Sequence, residues 1–593
     1  MTLFIIGGSN MDFFSILTLT GGLALFLYGM NVMGDGLKQL SGGKLESVLG
    51  RLTSTRFKGF FLGFAVTAII QSSSATTVML VGFVNSGIMK LGQTISIIMG
   101  ANVGTTVTAW LLSTTGISGD SFFIRLLKPS SFTPVLAAVG VVMTMSAASD
   151  KKKNIGTILI GFAVLMFGME TMSGSMDGLK DSPSFARMLI MFSNPVMGIL
   201  SGTILTAIIQ SSSASVGILQ ALSATGVIPF STAIPIILGQ NIGTTITPII
   251  SSINGNTDSK RVAMACLYIK MIGVIIVSVI FYTLHSIMSF AFMSLYSSAF
   301  SIAVIHTLFN IFSTIVLMPF CSLIEKLTIV TVRGKSDEQS DAFHTLDERF
   351  LSMPAFAVEK CRLLVSDMAE ISKNSLFDAI NTVDKYDNSV DKSIVEREAE
   401  VDLYEDKTSS YLLKISARQL TQKDSREVSQ LLHVIGDVER ISDHAVNVLE
   451  VAREIHDKNI VFSEDAVHEL GIITNAVREV VSLATEALVK QDLNIAKKVE
   501  PLEQVIDKLK YKIKNHHIKR LREGDCTIEM GFILSDLLTN YERVADHCSN
   551  IAVCLLEIDN NSFETHEYLN HVKQDGENEF FEQYDLYKKR YSI

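Results

Sequence analysis

Residues 1–330 consist of long apolar runs separated by short polar segments, whereas the later part of the chain shows the periodicity of amphipathic helices. A bilayer core about 30 Å thick takes roughly 20 residues at a rise of about 1.5 Å per residue. Runs of this length lie near 12–33, 92–114, 131–148, 153–173, 230–252, 262–284 and 300–321. The pattern predicts an all-α protein with a polytopic membrane domain, and it leaves the number of spans between 285 and 322 open.

Two further apolar stretches, 57–85 and 196–224, are interrupted near their centres by Gln-Ser-Ser-Ser. A straight helix of about 29 residues would reach about 44 Å and would place these polar groups in the middle of the lipid. A re-entrant hairpin, with the serines at a tip buried in protein, meets both constraints. The sequence therefore predicts two re-entrant hairpins.

The two parts of the chain differ sharply in charge. Residues 1–330 carry 17 Lys and Arg against 10 Asp and Glu, while the remaining residues carry 33 against 50. This contrast indicates two domains in different solvents. None of the six cysteines shows CxxC spacing, so the sequence favours neither a zinc site nor a disulfide framework.

The apolar part contains an internal duplication. Gln-Ser-Ser-Ser-Ala at 71–75 recurs at 210–214, an offset of 139. Gly-x-Asn-x-Gly-Thr-Thr at 100–106 recurs at 239–245 with the same offset. Upstream, Tyr28-Gly29-Met30 corresponds to Phe167-Gly168-Met169. One offset across three separated motifs predicts two repeats, over about 12–148 and about 153–322.

Each predicted repeat contains three spans and one hairpin, and this odd number of crossings turns the second repeat upside down relative to the first. With the N-terminus outside, the positive-inside rule is satisfied. The predicted cytoplasmic loops hold Lys38, Lys44, Arg51, Arg56, Lys58, Lys90, Lys151, Lys152, Lys153, Lys260 and Arg261, and the external loops hold only Arg125, Lys128, Lys180 and Arg187. We therefore expect a multi-pass protein of the plasma (inner) membrane with its second domain in the cytosol.

Two inverted hairpins would bring the repeated polar motifs together near the middle of the membrane. Broken helices there expose backbone N–H groups that suit an anion and carbonyl groups that suit a cation. Hydroxyl groups can donate to an oxyanion and can also hold Na⁺ through their oxygen. The predicted binding residues are Gln71, Ser72, Ser73, Ser74, Asn102, Thr105, Thr106, Gln210, Ser211, Ser212, Ser213, Asn241, Thr244 and Thr245.

These two kinds of motif carry no ionisable side chain. A di-anion without a counter-charge in a low-dielectric site costs several kcal/mol, so we expect co-bound Na⁺ to neutralise it. The alternative is that Ser and Gly only allow close helix packing. Lys270 lies inside an apolar stretch and is interpreted as reaching back to the cytoplasmic face, with attraction of the anion as the alternative. No nucleophile–base arrangement or Walker loop is present, which argues against an enzyme.

The second domain contains a duplication of its own. Glu-Arg-x-x-Asp-His-x-x-Asn at 439–447 recurs at 542–550, which predicts two three-helix bundles. Four Glu-x-x-x-Asp pairs each place two carboxylates on one helical face, where like charges repel. Such a face is either solvated or bound to a metal such as iron or manganese. The candidate ligands are Glu398, Asp402, Glu439, Asp443, Glu503, Asp507, Glu542 and Asp546.

The paired Gln-Ser-Ser-Ser and Gly-x-Asn-x-Gly-Thr-Thr segments resemble the type II sodium–phosphate cotransporter family over residues 12–325. The resemblance implies a shared phosphate and sodium site centred on 71–74 and 210–213. Residues 346–556 resemble PhoU, a helical regulator associated with phosphate uptake, through the duplicated Glu-Arg-x-x-Asp-His-x-x-Asn motif. In that family Glu-x-x-x-Asp motifs hold metal clusters, which this resemblance implies for the pairs above.

Together these observations predict sodium-coupled transport of inorganic phosphate by residues 1–330, regulated by a cytosolic PhoU-like domain at 346–556. Residues 331–345 are expected to form a linker, and 557–593 a polar, loosely ordered tail. A phosphate exporter and a membrane-tethered phosphate-signalling protein that binds a signalling partner are the alternatives. The expected partners are inorganic phosphate, sodium and the lipid bilayer, and the sequence indicates no nucleic acid.

Overall fold

Helices account for nearly all of the part of the chain that this computed structural model describes, namely residues 13–41, 55–116, 129–147, 149–176, 183–334, 343, 346–418, 420–559 and 578–593. The predicted all-α class is confirmed. The chain divides into two units, Met1–Ser352 and Met353–Ile593. Most of the predicted linker, and the basic residues Lys44, Arg51, Arg125, Lys128 and Lys180, lie outside the described residues.

Fifteen α-helices are described in the first unit. They are α1 (Phe13–Ser41), α2 (Arg56–Ile70), α3 (Ser73–Asn85), α4 (Leu91–Gly104), α5 (Thr106–Ser113), α6 (Pro129–Ser146), α7 (Asp150–Ser175), α8 (Pro183–Phe192), α9 (Pro195–Ile209), α10 (Ser212–Ser223), α11 (Phe230–Gly243), α12 (Ile246–Ser252), α13 (Thr257–Met288), α14 (Ala299–Leu317) and α15 (Cys321–Thr331).

Six helical segments are long and apolar enough to cross a membrane. They are Phe13–Leu40, Leu91–Ser113, Asp150–Ser175, Phe230–Ser252, Thr257–Met288 and Ala299–Thr331. The predicted span near 131–148 forms a shorter apolar helix, Ser131–Ser146. Between α13 and α14 the chain forms only a short 3-10 turn, Ala291–Ser294, which accounts for the irregular pattern there. The first unit is thus built as a multi-pass membrane domain.

Helices α2, α3 and α4 form a hairpin followed by a parallel return. Gly59 of α2 faces the hydroxyl group of Ser96, and further along both helices Thr67 faces Gly104. Because both residue numbers increase in the same direction, α2 and α4 run parallel. The intervening α3 must therefore run antiparallel to both helices. The start of α2 and the end of α3 lie on the same side of the hairpin, and Gln71 lies at its tip.

The second repeat reproduces this packing at the same offset of 139. Gly198 of α9 faces Pro235 of α11, and Thr206 faces Gly243, so α9 and α11 also run parallel and α10 runs back. Phe60 and Gly100 contact each other through their backbones just as their counterparts Ile199 and Gly239 do. The duplication read from the sequence is therefore also a duplication of helix contacts.

Helices α1 and α7, which begin the two repeats, pack against each other through glycines. Gly22 lies against Gly168, and Gly29 lies against Gly161. Since one residue number rises as the other falls, α1 and α7 run antiparallel. At the offset of 139, Gly22 corresponds to Gly161 and Gly29 to Gly168. Replacing each glycine by its counterpart therefore turns the contact of Gly22 with Gly168 into the contact of Gly161 with Gly29, so the two contacts are equivalent. Small residues allow two helix backbones to approach this closely.

The second unit contains two three-helix bundles. The first holds α16 (Pro354–Asp384), α17 (Asn388–Ser416) and α18 (Gln422–Asp457), and the second holds α19 (Glu464–Lys490), α21 (Val499–Glu523) and α22 (Ile528–Asp559), with the short α20 (Leu493–Ala496) between α19 and α21. Helix α18 packs on α22 and α16 on α19, which joins the bundles. The same apolar periodicity that predicts the helices supplies the buried faces.

The expectation of a loosely ordered tail is wrong for residues 578–593. Residues Asn578–Arg590 form α23, which packs on α21. Phe580, Tyr587 and Tyr591 are buried, at spacings of seven and four residues that place them on one helical face. Arg590 also donates a hydrogen bond to Glu479 at 2.9 Å. The prediction relied on the acidic composition of the tail and did not take the spacing of its aromatic residues into account.

Candidate functional site

Both hairpins turn at a glutamine followed by a serine cap. Gln71 (φ 59°) and Gln210 (φ 60°) adopt the left-handed conformation and end α2 and α9. The next residue, Ser72 or Ser211, caps the following helix by accepting a hydrogen bond from the N–H group three residues on, at 3.1 Å and 3.2 Å. The first serine of each motif thus stabilises the start of the returning helix.

The other motif serines form the first turn of the returning helices. The side chains of Ser73, Ser212 and Ser213 are buried, and Ser74 is half-buried. The hydroxyl group of Ser74 donates to the carbonyl oxygen of Gln210 at 3.4 Å, so the structure brings the two hairpin tips together. The N-termini of α3 and α10, where backbone N–H groups lack intrahelical partners, lie at these tips.

A hydroxyl pair joins the two arms of each hairpin. Thr67 donates to Thr76 at 3.0 Å, and their counterparts Thr206 and Ser215 are 2.8 Å apart. All four side chains are buried, so each pair satisfies polar groups that would otherwise lie in an apolar interior. Sequence reasoning missed Thr67 and Thr206, although both recur at the offset of 139.

The two hairpin glutamines differ in their partners. The buried Gln71 accepts a hydrogen bond from Thr108 at 2.7 Å, and its amide nitrogen donates to the carbonyl oxygen of Ala68. Gln210 is exposed, and Thr247, the counterpart of Thr108, has a buried hydroxyl oxygen without a hydrogen-bond partner among the described residues. Thr108 and Thr247 follow their Gly-x-Asn-x-Gly-Thr-Thr motifs by two residues, so a longer motif alignment would have found them.

The Gly-x-Asn-x-Gly-Thr-Thr motifs lie where α4 passes into α5 and α11 passes into α12. Their four threonine hydroxyls each donate to a carbonyl oxygen in the preceding turn, at 2.7 to 3.0 Å, and these residues are Thr105, Thr106, Thr244 and Thr245. Asn241 is buried and donates to the carbonyl oxygen of Ile237 at 2.9 Å, whereas Asn102 is half-buried. A hydroxyl group that donates a hydrogen bond still has lone pairs on its oxygen, and these can bind a cation or accept a hydrogen bond from another donor.

The interpretation of Lys270 as a side chain that reaches back to the cytoplasmic face is wrong. Its side chain is buried, and its ammonium group donates to the hydroxyl oxygen of Thr244 in the second motif. The two residues are 26 positions apart, with Lys270 on α13 and Thr244 at the break between α11 and α12, so no local pattern indicated the contact.

In the second unit the structure brings together three of the eight acidic candidates. Carboxylate oxygens of Glu398 and Asp402 on α17 and of Asp443 on α18 lie within 4.8 Å of one another. Burial, with the charges of Asp402 and Asp443, raises the pKa of Glu398. Burial raises the pKa of the neighbouring Glu439, and Asp443 adds to the shift. Oxygen ligands at this spacing suit a divalent metal ion.

The equivalent acidic residues of the second bundle have a basic neighbour. Lys510 forms an ion pair with Glu542, and both line an open cleft together with Glu503 and Asp507. Burial, followed by the charge of Glu542, raises the pKa of both Asp507 and Asp546. A lysine already supplies positive charge here, so this group suits a metal less well than the first group does.

The histidines of the duplicated motif connect the bundles. Nδ1 of His444 lies 2.9 Å from Oδ1 of Asn540, and Nδ1 of His547 lies 2.9 Å from Oδ1 of Asp437. Asp437 and Asn540 are 103 residues apart, the same separation as between the two copies of the motif at 439–447 and 542–550, so the two contacts are equivalent. These histidines stabilise the packing of α18 on α22, a role that the motif alone did not indicate.

Comparison with known proteins gives two matches to family models. Residues 25–174 and 180–306 match the Na⁺/Pi-cotransporter family, and residues 365–452 and 471–555 match the PhoU domain. In the second unit each matched segment lies within one three-helix bundle, whereas in the first unit the break between the matched segments falls after α7, the first helix of the second repeat.

Three relatives illustrate the range of similarity. A protein of Escherichia coli (strain K12), provisionally named inorganic phosphate export protein YjbB, is 22% identical over 92% of this chain and 98% of its own length. The sodium-dependent phosphate transport protein 2A of Rattus norvegicus is 27% identical over 28% of this chain and 25% of its own. The phosphate-specific transport system accessory protein PhoU homolog 1 of Thermotoga maritima is 27% identical over 35% of this chain and 86% of its own.

Proposed function

Because the chain belongs to the Na⁺/Pi-cotransporter family and carries PhoU domains after its membrane unit, we propose that it is a secondary transporter of inorganic phosphate coupled to sodium. The observation that carries the proposal is the meeting of the two hairpin tips, marked by the contact of Ser74 with Gln210. There the N-terminal N–H groups of α3 and α10 suit phosphate, and the last carbonyl groups of α2 and α9 suit sodium.

The chemistry of the motif residues supports sodium as the coupling ion. Their side chains are amides and hydroxyls, and the hydroxyl groups of the four motif threonines donate hydrogen bonds to backbone carbonyl oxygens. Their oxygen atoms therefore remain available as ligands. Neutral oxygens of this kind hold a hard monovalent cation such as Na⁺. The name of the rat relative, a sodium-dependent phosphate transport protein, agrees with this assignment.

The proposal includes two inverted repeats, with the second unit in the cytosol. It is supported by the antiparallel packing of α1 and α7 and by the equivalence of their two glycine contacts. The predicted distribution of basic residues gives the same orientation. In this arrangement the hairpins enter from opposite sides of the membrane, and the PhoU domains regulate transport from the cytosol.

The test is uptake of ³²P-phosphate by proteoliposomes with and without an inward sodium gradient. Ser73→Ala and Ser212→Ala are each expected to lower sodium-driven uptake about ten- to hundredfold, because each removes a hydrogen bond to a charged ligand. Ser201→Ala is the matched control, since that hydroxyl donates to Gly198 within its own helix, away from the tips. Equal uptake in sodium and choline, or full activity of both site variants, would contradict the proposal.

Phosphate export is a second candidate, favoured by the name of the E. coli relative that matches 92% of this chain. It uses the same site and differs only in the direction of net flux. Vesicles loaded with labelled phosphate distinguish the two, because an exporter would release phosphate under the ion gradient found in cells, whereas an importer would retain it.

We further propose that Glu398, Asp402 and Asp443 bind a divalent metal ion such as iron or manganese. Asp443→Asn is expected to raise the Tm of metal-free protein, because it removes repulsion among three crowded carboxylates, and to abolish the rise in Tm caused by Mn²⁺. Glu400→Gln, at an exposed position on the same helix but two residues from both Glu398 and Asp402 and so on another face, is the control. The same Mn²⁺-dependent rise in wild type and Asp443→Asn would exclude this metal site.

A further inference from the structure

Lys270 lies deep in the first unit. It is more than three turns from the first residue of α13, a distance of about 20 Å along the helix, which is farther than a lysine side chain extends. Only 7% of its surface is exposed. The ammonium group is therefore held inside the protein.

The surroundings of Lys270 belong to both repeats. Its ammonium group donates to Thr244, at the break between α11 and α12 of the second repeat. One turn earlier on α13, the thiol group of Cys266 lies against the hydroxyl group of Thr77, and Thr77 donates to the carbonyl oxygen of Ser73 at 2.7 Å. In this region α13 thus contacts α3 of the first repeat through Cys266 and a motif of the second repeat through Lys270.

The ammonium group lacks a carboxylate partner within the described ranges, where none of the ion pairs involves it. Its ionisable neighbours there are a thiol group, Cys266, and an imidazole ring, His306. The His306 ring is itself buried, and its Nδ1 has no hydrogen-bond partner among those residues. A buried cation left without negative charge is strongly unfavourable, so an anionic ligand would stabilise this region.

At the constant offset the first repeat does not place a cation where the second repeat has Lys270. At the offset of 139, the position of Lys270 corresponds to Ser131. The equivalent of Thr244 is Thr105, whose hydroxyl donates to Ala101 at 3.0 Å. At this offset the two repeats therefore share the threonine but differ at the position of Lys270.

We propose that the ammonium group of Lys270 binds the transported anion directly, beside Thr244, and supplies one of the positive charges that neutralise it. This inference rests on the proposed function of the site. A divalent oxyanion bound there needs only one further cation for neutrality, so Lys270 reduces the number of sodium ions required for charge balance by one.

The experiment measures the Tm of the purified full-length protein against the concentration of inorganic phosphate, in sodium and in choline buffer. Lys270→Met removes the charge while keeping most of the volume, and exchanging a buried ion for an apolar group of similar size is commonly tolerated. It is expected to need at least about tenfold more phosphate than wild type for the same rise in Tm. Lys270→Arg keeps a cation and is expected to recover part of the response.

The control is Lys260→Met, which removes an exposed lysine from the first turn of the same helix and is expected to respond to phosphate as wild type does. An unchanged phosphate response in Lys270→Met, or no response of wild type in either buffer, would overturn the inference. If wild type binds phosphate through Lys270 but proteoliposomes show no sodium-driven flux, the proposed coupling fails while the inference stands.

Discussion

Gly100→Ala is expected to prevent the first unit from reaching its folded state. A Cβ atom at this position would overlap the carbonyl oxygen of Phe60 and lie 2.8 Å from its carbonyl carbon and 2.9 Å from the nitrogen of Phe64. These are backbone atoms of α2, so the clash is relieved only by moving α2 away from α4. Since α2 leads to Gln71, this movement would also displace the hairpin tip. We expect the free energy of unfolding to fall by more than the cost that is typical of overpacking a core, about 1–3 kcal/mol.

The measurement is the yield of monodisperse protein in detergent and its Tm. Gly239→Ala is expected to behave in the same way, because its Cβ would overlap the carbonyl oxygen of Ile199 in the equivalent contact. Gly21→Ala is the matched control, since a Cβ atom there meets nothing within 4 Å and alanine favours a helix. Wild-type stability in Gly100→Ala would show that α2 and α4 are farther apart than described.

Phe350→Ala is expected to destabilise the first unit by about 3–5 kcal/mol. The ring is fully buried, with its centroid 5.6 Å from that of Phe83, and a Cβ atom on Gly82 would approach it to 2.7 Å. Next to it, Asp347 accepts a hydrogen bond from Asn85 at 2.8 Å. The chain segment that precedes the second unit is thus attached to the open end of the first hairpin.

This expectation is checked by the Tm of the purified protein. Phe350→Leu keeps most of the apolar volume and should recover much of the loss. As a control for removal of an aromatic ring, Phe57→Ala changes an exposed side chain of α2 and should lower the Tm little. A Tm of Phe350→Ala equal to that of wild type would mean that the segment does not support the hairpin.

The two internal duplications could be predicted from the sequence, because short polar motifs recur in each of them at a constant offset. The same motifs located the helix breaks at Gln71 and Gln210, since a polar group at the centre of an overlong apolar stretch permits few backbone paths. The parallel packing of α2 on α4, which the sequence did not predict, also uses residues that recur, such as Gly100 and Gly239.

Features that depend on long-range contacts were not accessible. The hydrogen bond from Lys270 to Thr244 joins α13 to the break between α11 and α12, and no periodicity in the sequence indicates that these segments are close. The difference between Gln71, bonded to Thr108, and the exposed Gln210 arises from identical motifs, so only three-dimensional packing separates them. In the second unit, the ion pair of Lys510 with Glu542 likewise distinguishes two acidic groups of similar sequence.

The backbone at the two hairpin glutamines has a consequence for the choice of side chain. A left-handed conformation costs a residue with a Cβ atom about 1–2 kcal/mol relative to a right-handed one, and glycine adopts it without this penalty. Glycine would therefore be the more stable residue for the turn alone at Gln71 and at Gln210. Both halves of the molecule nevertheless hold an amide side chain there, so the conformational preference of the turn does not by itself account for the residue at either hairpin tip.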